Sequence, residues 1–98
     1  MKKLISVVIP AYNEEDCIEK LANRLDLLIE KENNYMWEVF IVENGSTDST
    51  WDKLKDVAST NSNFKVIKLS RNFRMDGGLR AGLEYIKGDA CVLMTADL

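Results

Sequence analysis

Four short apolar runs, separated by amphipathic stretches, dominate the pattern along the chain. Their length and their content of β-branched residues are typical of strands buried in a parallel sheet. The runs predict strands at Leu4 to Ile9, Trp37 to Val42, Phe64 to Leu69 and Ala90 to Met94. Pro10 is expected to close the first strand, because proline has no N–H to donate within a sheet.

The stretch after the first strand changes to the three- and four-residue spacing of an amphipathic helix. It predicts a helix from Glu14 to about Glu30, with Asn13 as the N-cap. Acidic residues then occupy the first turn, where the positive end of the helix dipole favours carboxylates.

Two further helices are predicted between the remaining strands. The first follows a turn at residues 43–48, and its inner face carries Trp51, Leu54, Val57 and Ala58. The second runs from Gly78 to Lys87, after a polar loop at Ser70 to Asp76, and Gly88 is expected to end it.

The resulting order, βαβαβαβ, predicts an α/β fold: a Rossmann-like parallel sheet with right-handed crossovers and helices on both faces. Such sheets bind ligands outside the carboxyl ends of their strands. Polar residues that packing does not explain lie at four such ends, namely Pro10 to Glu14, Glu43 to Asp48, Ser70 to Asp76 and Thr95 to Leu98. Their coincidence predicts one ligand site.

The composition is that of a globular chain the size of one domain, spanning residues 1–98, with 46% apolar and 30% charged residues. No apolar run reaches the roughly 18 residues of a membrane-spanning helix. The first run follows two lysines, as in a signal peptide, but Tyr12 to Asp16 ends it without a small-residue cleavage site. We therefore expect a cytoplasmic protein.

Charge and residue types exclude several functions. The formal net charge of −3 offers no positive field to attract nucleic acid, so no polynucleotide partner is expected. The chain has no histidine, which removes Ser-His-Asp and Cys-His nucleophiles. Cys17 and Cys91 lie far apart without a CxxC pair, so neither a disulfide nor a zinc site is indicated.

Two of the loops admit both a ligand-binding and a purely structural interpretation. Tyr12, Asn13 and Glu14 offer an aromatic face, an amide and a carboxylate, which suit stacking on a base and accepting its ring N–H. They equally suit a helix cap beside an exposed tyrosine. Residues 43–48 are likewise explained by a turn with capping residues.

The glycine-rich stretch Gly77 to Gly82 has neither GxGxxG spacing nor a Lys-Ser/Thr pair after it, so neither phosphate-loop motif is present. Arg71 and Arg74, just before it, either add positive charge near phosphates or are simply solvated. Asp97 follows the fourth strand, where a carboxylate is placed to hold a hard cation that bridges phosphates.

Three segments taken together resemble family 2 inverting glycosyltransferases of the GT-A fold. They read VVIPAYNEE at residues 7–15, VENGSTD at residues 42–48 and LSRNF at residues 69–73. The Ser-Arg-Asn-Phe stretch and residues 96–98 are most similar to the branch that transfers sugars to polyprenyl or dolichyl phosphate. The resemblance covers essentially the whole chain but only the nucleotide-sugar-binding half of the family's domain.

The resemblance implies a set of nucleotide-binding positions: Pro10, Ala11, Tyr12, Glu14, Glu43, Asn44, Ser46, Arg71 and Ala96. Tyr12 would lie near the base and Arg71 toward the diphosphate. Asn44 stands where the family commonly has an Asp that bonds the uracil or guanine edge. An amide both donates and accepts, so the preference between UDP- and GDP-linked donors stays open.

The resemblance also places Thr95-Ala96-Asp97 at the family's Asp-x-Asp metal motif. Asp97 is the expected ligand for Mg²⁺ or Mn²⁺, and Thr95 is a weaker candidate because a hydroxyl replaces a charge. We therefore expect weak divalent-ion binding.

The implied activity is the transfer of a sugar, with inversion, from a nucleoside-diphosphate sugar to polyprenyl phosphate or a growing glycan during cell-envelope polysaccharide synthesis. The acceptor-binding half, the catalytic base and membrane-attached helices are expected downstream of Leu98, so no catalytic residue is expected here and the fragment alone is expected to be inactive. The alternative is a non-catalytic nucleotide-binding or interaction domain of the same fold. A four-stranded sheet without the acceptor-binding half would expose the apolar surface that this half normally covers, so we also expect the fragment to self-associate.

Overall fold

A computed structural model describes residues 2–96, apart from the side chains of residues 75 and 76. Strands and helices alternate in the order β1 (Leu4–Ala11), α1 (Ile18–Lys31), β2 (Met36–Glu43), α2 (Thr50–Thr60), β3 (Phe64–Lys68), α3 (Arg74–Leu83) and β4 (Ala90–Leu93). The predicted βαβαβαβ order is confirmed. Within these residues, no helix combines the length and the hydropathy that a membrane crossing requires.

The four strands form one parallel sheet in the order β3-β2-β1-β4. β1 and β2 pair in register from Leu4 opposite Met36 to Ala11 opposite Glu43. The pairing of β1 with β4 ends at Val8 opposite Leu93. The chain segments that follow β1, β2, β3 and β4 therefore leave the sheet at the same edge.

Helices cover both faces of the sheet, as predicted. Alternate residues of β1 and β2, including Val7, Ile9 and Ile41, join α1 and α2 in the main apolar cluster. The intervening residues face α3, where Gly82 lies directly against the side chains of Val8 and Val42. This alternation follows from the two-residue period of a strand.

The start of α1 differs from the prediction, and Asn13 is not its N-cap. The helix begins at Ile18 after Cys17, and residues 15–17 form a turn. Asn13 adopts a left-handed φ of 51°, and its side-chain oxygen accepts a hydrogen bond from the Thr47 N–H at 2.8 Å. The asparagine therefore serves a contact between loops, which the local sequence does not reveal.

α3 is also displaced from its predicted position at Gly78 to Lys87. It runs over Arg74–Leu83, so the end of the predicted polar loop, Ser70 to Asp76, is helical. Gly88 does not end a helix. Its N–H donates to the Ser6 hydroxyl at 2.8 Å, and a Cβ on it would lie 2.4 Å from that oxygen. The glycine is explained by this close approach to β1.

β4 lies at an edge of the sheet, and its four residues are exposed. The prediction of a buried fourth strand is wrong for this chain, because no neighbour among residues 2–96 covers its outer side. Val92 and Leu93 are 42% and 53% exposed. An open apolar edge favours pairing with a second chain.

The exposed edge strand β4 supports the prediction that the 98-residue chain self-associates, which is open to test. We expect light scattering to show oligomers whose proportion rises with concentration. Leu93→Lys is expected to reduce them, because a lysine on an edge strand opposes edge-to-edge pairing. A monomer at high concentration would contradict the prediction.

Candidate functional site

A hollow of about 310 Å³ lies at the carboxyl edge of the sheet. Six of the residues predicted to bind nucleotide line it: Pro10, Ala11, Tyr12, Glu14, Asn44 and Ala96. Thr95, the weaker metal candidate, lines it as well. Asn72 and Arg74 complete the lining from the segment after β3, although neither was among the predicted nucleotide-binding positions. Segments that follow all four strands thus meet at one site.

The loop after β1 is tied to the loop after β2 by hydrogen bonds. The Asn13 N–H donates to the Ser46 hydroxyl at 2.8 Å, opposite the bond from Thr47 to the Asn13 side chain. The Glu14 N–H donates to the Thr50 hydroxyl at 2.9 Å. These bonds fix the backbone on either side of Tyr12 and Glu14, so both side chains project from an ordered loop.

Asp48 extends this connection to the start of α2. Its carboxylate accepts the Thr50 N–H at 3.0 Å and the Thr50 hydroxyl, and the Glu15 N–H lies 3.4 Å away. Glu15 returns the contact by accepting the Ser49 N–H at 3.0 Å. Desolvation favours the neutral carboxyl, but the hydrogen bonds from Thr50 and Glu15 outweigh it and lower the pKa of Asp48.

This lowered pKa predicts a pH-dependent contribution to stability. The charged form of Asp48 stabilises the fold above the ordinary aspartate pKa of about 3.9, and the contribution is lost as the pH falls toward the lower folded-state pKa. We expect Asp48→Asn to reduce the free energy of unfolding by about 1 kcal/mol at pH 7. Below pH 3.9 the difference from the unmodified chain should shrink.

Urea unfolding between pH 7 and pH 2.5, at about half-unit steps, tests this expectation. Asp52→Asn is the matched control, because the Asp52 carboxylate is exposed and its contact with Lys55, at 3.6 Å, is a surface ion pair. A loss from Asp48→Asn that stays constant over the whole pH range would show that the charge of Asp48 is not involved.

Glu43 and Ser46, both predicted to bind nucleotide, do not line the hollow. Glu43 is 1% exposed, and its carboxylate accepts the Ser46 N–H across the turn. Gly45 lies between them with a left-handed φ of 79°, a conformation that favours glycine. The two polar residues thus shape the loop after β2, and contact of either with a nucleotide stays a prediction.

Asn44 is buried at 3% exposure and joins three segments. Its backbone N–H donates to the Ala11 carbonyl at 2.8 Å. Its side-chain oxygen accepts the Phe73 N–H at 2.9 Å, and its side-chain nitrogen donates to the Arg74 carbonyl at 2.7 Å. An amide retains one further N–H and one further lone pair. The predicted contact with a base edge therefore stays a prediction, in addition to this structural role.

The two arginines of the segment after β3 have different surroundings. The Arg71 guanidinium lies over the Phe73 ring, 4.2 Å from its centroid, and Arg71 does not line the hollow. Arg74 does line it. Nothing in the family resemblance marked Arg74 as a contact, and the sequence placed it in a loop rather than at the start of α3.

The predicted metal ligand Asp97 lies outside the described residues. In the part of the chain that the structure describes, no three Asp, Glu, Cys or His side chains come together as a metal site. Glu14 contributes a carboxylate and Thr95 a hydroxyl to the hollow. Glu14 is the only carboxylate among the lining residues that the structure describes, whereas tight sites for hard cations use several charged oxygens.

The sequence of residues 6–98 matches the sequence model of glycosyl transferase family 2. The chain belongs to this family. The putative glycosyltransferase CsbB of Bacillus subtilis is 39% identical over 95 residues, which are 97% of this chain and 29% of CsbB. An undecaprenyl-phosphate 4-deoxy-4-formamido-L-arabinose transferase of Pseudomonas fluorescens is 36% identical over 95 residues, 96% of this chain and 28% of that enzyme.

Solved structures agree with this assignment and confirm the GT-A-type architecture. TarS residues 1–349 of S. aureus, in complex with UDP-GlcNAc, align with a TM-score of 0.80 at 28% identity, covering 99% of this chain and 27% of TarS. The mannosyltransferase PcManGT of Pyrobaculum calidifontis, in complex with GDP-Man and Mn²⁺, aligns with a TM-score of 0.81 at 24% identity. The alignment covers 99% of this chain and 28% of PcManGT. This glycosyltransferase chain therefore spans less than a third of the relatives it matches.

Proposed function

We propose that this chain is the donor-binding part of an inverting glycosyltransferase that uses a nucleoside-diphosphate sugar. The observation that carries the proposal is the meeting of Tyr12, Glu14 and Asn44 in one hollow at the carboxyl edge of the sheet. That edge is where parallel α/β sheets bind nucleotides. Family membership supports the reaction class, because fold alone does not specify an activity.

The hollow offers separate groups for the parts of a nucleotide. Tyr12 is 42% exposed and lines the hollow, so its ring is accessible to a base. Stacking of a base on an aromatic ring contributes about 1–3 kcal/mol in nucleic-acid-binding proteins. Glu14 supplies a carboxylate that accepts a ring N–H or a ribose hydroxyl. Asn44 has one N–H and one lone pair left for the base edge.

The donor is proposed to be linked to UDP or GDP, and the acceptor to be polyprenyl phosphate or a growing glycan. UDP is supported by TarS, whose structures contain UDP and UDP-GlcNAc. A polyprenyl acceptor is supported by relatives named as undecaprenyl-phosphate transferases. Such an acceptor would bring the full protein to the cytoplasmic face of a membrane.

A divalent ion, Mg²⁺ or Mn²⁺, is proposed to bind weakly at Asp97. When bound, such an ion supplies positive charge to the departing diphosphate. Thr95 adds only a neutral hydroxyl beside the hollow, so saturation should require a high ion concentration.

The test is calorimetric titration of the intact gene product with UDP, GDP and their sugar derivatives, with and without Mn²⁺, followed by a transfer assay to undecaprenyl phosphate. We expect one nucleoside diphosphate to bind, Mn²⁺ to strengthen binding, and transfer to occur. The same assays on the 98 residues alone should show weaker binding and no transfer. Absence of binding to either diphosphate would refute the proposed function, and binding without transfer would favour the non-catalytic alternative.

A further inference from the structure

Arg74 has an unusual backbone conformation for its residue type. Its φ of 65° lies in the left-handed region, which disfavours side chains with a Cβ and is enriched at functional sites. The arginine is held there on both sides. Its N–H donates to the Asn72 side chain at 2.7 Å, and its carbonyl accepts from the Asn44 side chain at 2.7 Å.

These two asparagines therefore hold one residue in a conformation that it would not adopt by itself. The Asn44 amide is buried and makes two bonds to the 73–74 backbone, so its position is fixed by the end of β2. A strained residue persists only where its surroundings determine it. The result is an arginine in a fixed place at the start of α3.

Arg74 lines the hollow, and among the lining residues that the structure describes it is the only cationic residue. Arg71, for which the family resemblance implies a place toward the diphosphate, lies over the Phe73 ring and does not line the hollow, so its contact with the diphosphate stays a prediction. A guanidinium donates two parallel hydrogen bonds to phosphate oxygens. Arg74 is thus the described group whose charge and hydrogen-bonding geometry fit a diphosphate.

We propose that Arg74 binds the diphosphate of the donor, and that Asn44 and Asn72 are positioning residues that hold its backbone for this contact. The inference rests on the proposed function and adds a specific phosphate ligand to it. Conformational strain at Arg74 is then maintained because it directs the guanidinium into the hollow. Glycine would relieve the strain but remove the charge, so stability and binding should respond in different directions.

The experiment compares Arg74→Gly with the unmodified intact gene product. Calorimetry measures affinity for UDP and GDP and for uridine and guanosine, which lack phosphates, at a fixed Mn²⁺ concentration. We expect Arg74→Gly to weaken diphosphate binding about tenfold, the value of one charged hydrogen-bonded contact. Nucleoside affinity and Tm should not fall. Arg74→Asn, which also tolerates a left-handed φ, should reproduce the loss. Arg24→Ala should not, because it removes an exposed arginine of α1 that does not line the hollow.

The outcomes separate the inference from the function on which it rests. If the unmodified protein binds neither diphosphate, the proposed function fails. If it binds a diphosphate and both Arg74 variants retain that affinity, the function stands and the assignment of Arg74 is overturned. An equal loss of nucleoside and diphosphate affinity would also overturn it, because that pattern indicates a distorted hollow and not a missing phosphate contact.

Discussion

Gly45→Ala is expected to destabilise the fold by about 3 kcal/mol or more, the largest effect that we predict for a single added methyl group. Gly45 has a φ of 79°, where a Cβ costs about 1 kcal/mol. The added Cβ would also lie 2.3 Å from the Arg71 carbonyl carbon and 2.4 Å from the Asn72 nitrogen. Both atoms belong to the backbone, so no side-chain rotation relieves the contact.

The same substitution should weaken nucleotide binding. Displacing residues 71 and 72 would move Asn72 and Arg74, which line the hollow. Urea unfolding gives the loss of stability, and calorimetry with the preferred nucleoside diphosphate gives the loss of affinity.

Gly78→Ala is the matched control for Gly45→Ala. Its new Cβ would lie 3.0 Å from the Pro10 Cβ and 3.2 Å from the Asn44 side-chain nitrogen. Both neighbours are side-chain atoms, and the higher helix propensity of alanine offsets these tight contacts by about 1 kcal/mol. An effect of Gly45→Ala no larger than that of Gly78→Ala would show that the segment after β3 adapts to the loop after β2.

The sheet was predictable from sequence because a buried strand is a run of consecutive apolar residues, which is visible locally in the sequence. β1 is apolar at every position except Ser6, since helices cover both of its faces. The helix starts were less predictable. Asn13 has the chemistry of an N-cap, but its side chain bonds Thr47, 34 positions away, and no local pattern distinguishes the two uses.

The candidate site was predictable to the extent that it consists of strand ends. Tyr12 and Asn44 follow β1 and β2 directly, and parallel strands in register bring such residues together. For Arg74 the sequence left two alternatives open, a charge near phosphates or a solvated side chain, because its place depends on a left-handed φ and on the Asn44 side chain, 30 residues away. Long-range hydrogen bonds of this kind emerge only when the chain has folded.

Asn44→Asp would introduce the residue that the family commonly has at this position, and we expect it to destabilise this chain by about 2 kcal/mol at pH 7. A carboxylate still accepts the Phe73 N–H. It cannot donate to the Arg74 carbonyl, which lies 2.7 Å from the present amide nitrogen, so two buried acceptors would face each other. Loss of this bond should also release Arg74 and weaken diphosphate binding.

Asn72→Asp is the matched control, because the Asn72 side-chain oxygen accepts the Arg74 N–H at 2.7 Å and a carboxylate can do the same. Urea unfolding at several pH values separates the two cases. Burial beside a carbonyl raises the pKa of the carboxyl introduced by Asn44→Asp, so its penalty should be full at neutral pH and disappear below about pH 3.9, where the protonated form donates to the carbonyl. Equal stability of both variants at pH 7 would mean that the Arg74 carbonyl finds another donor, and that the amide of Asn44 is not what holds the arginine in place.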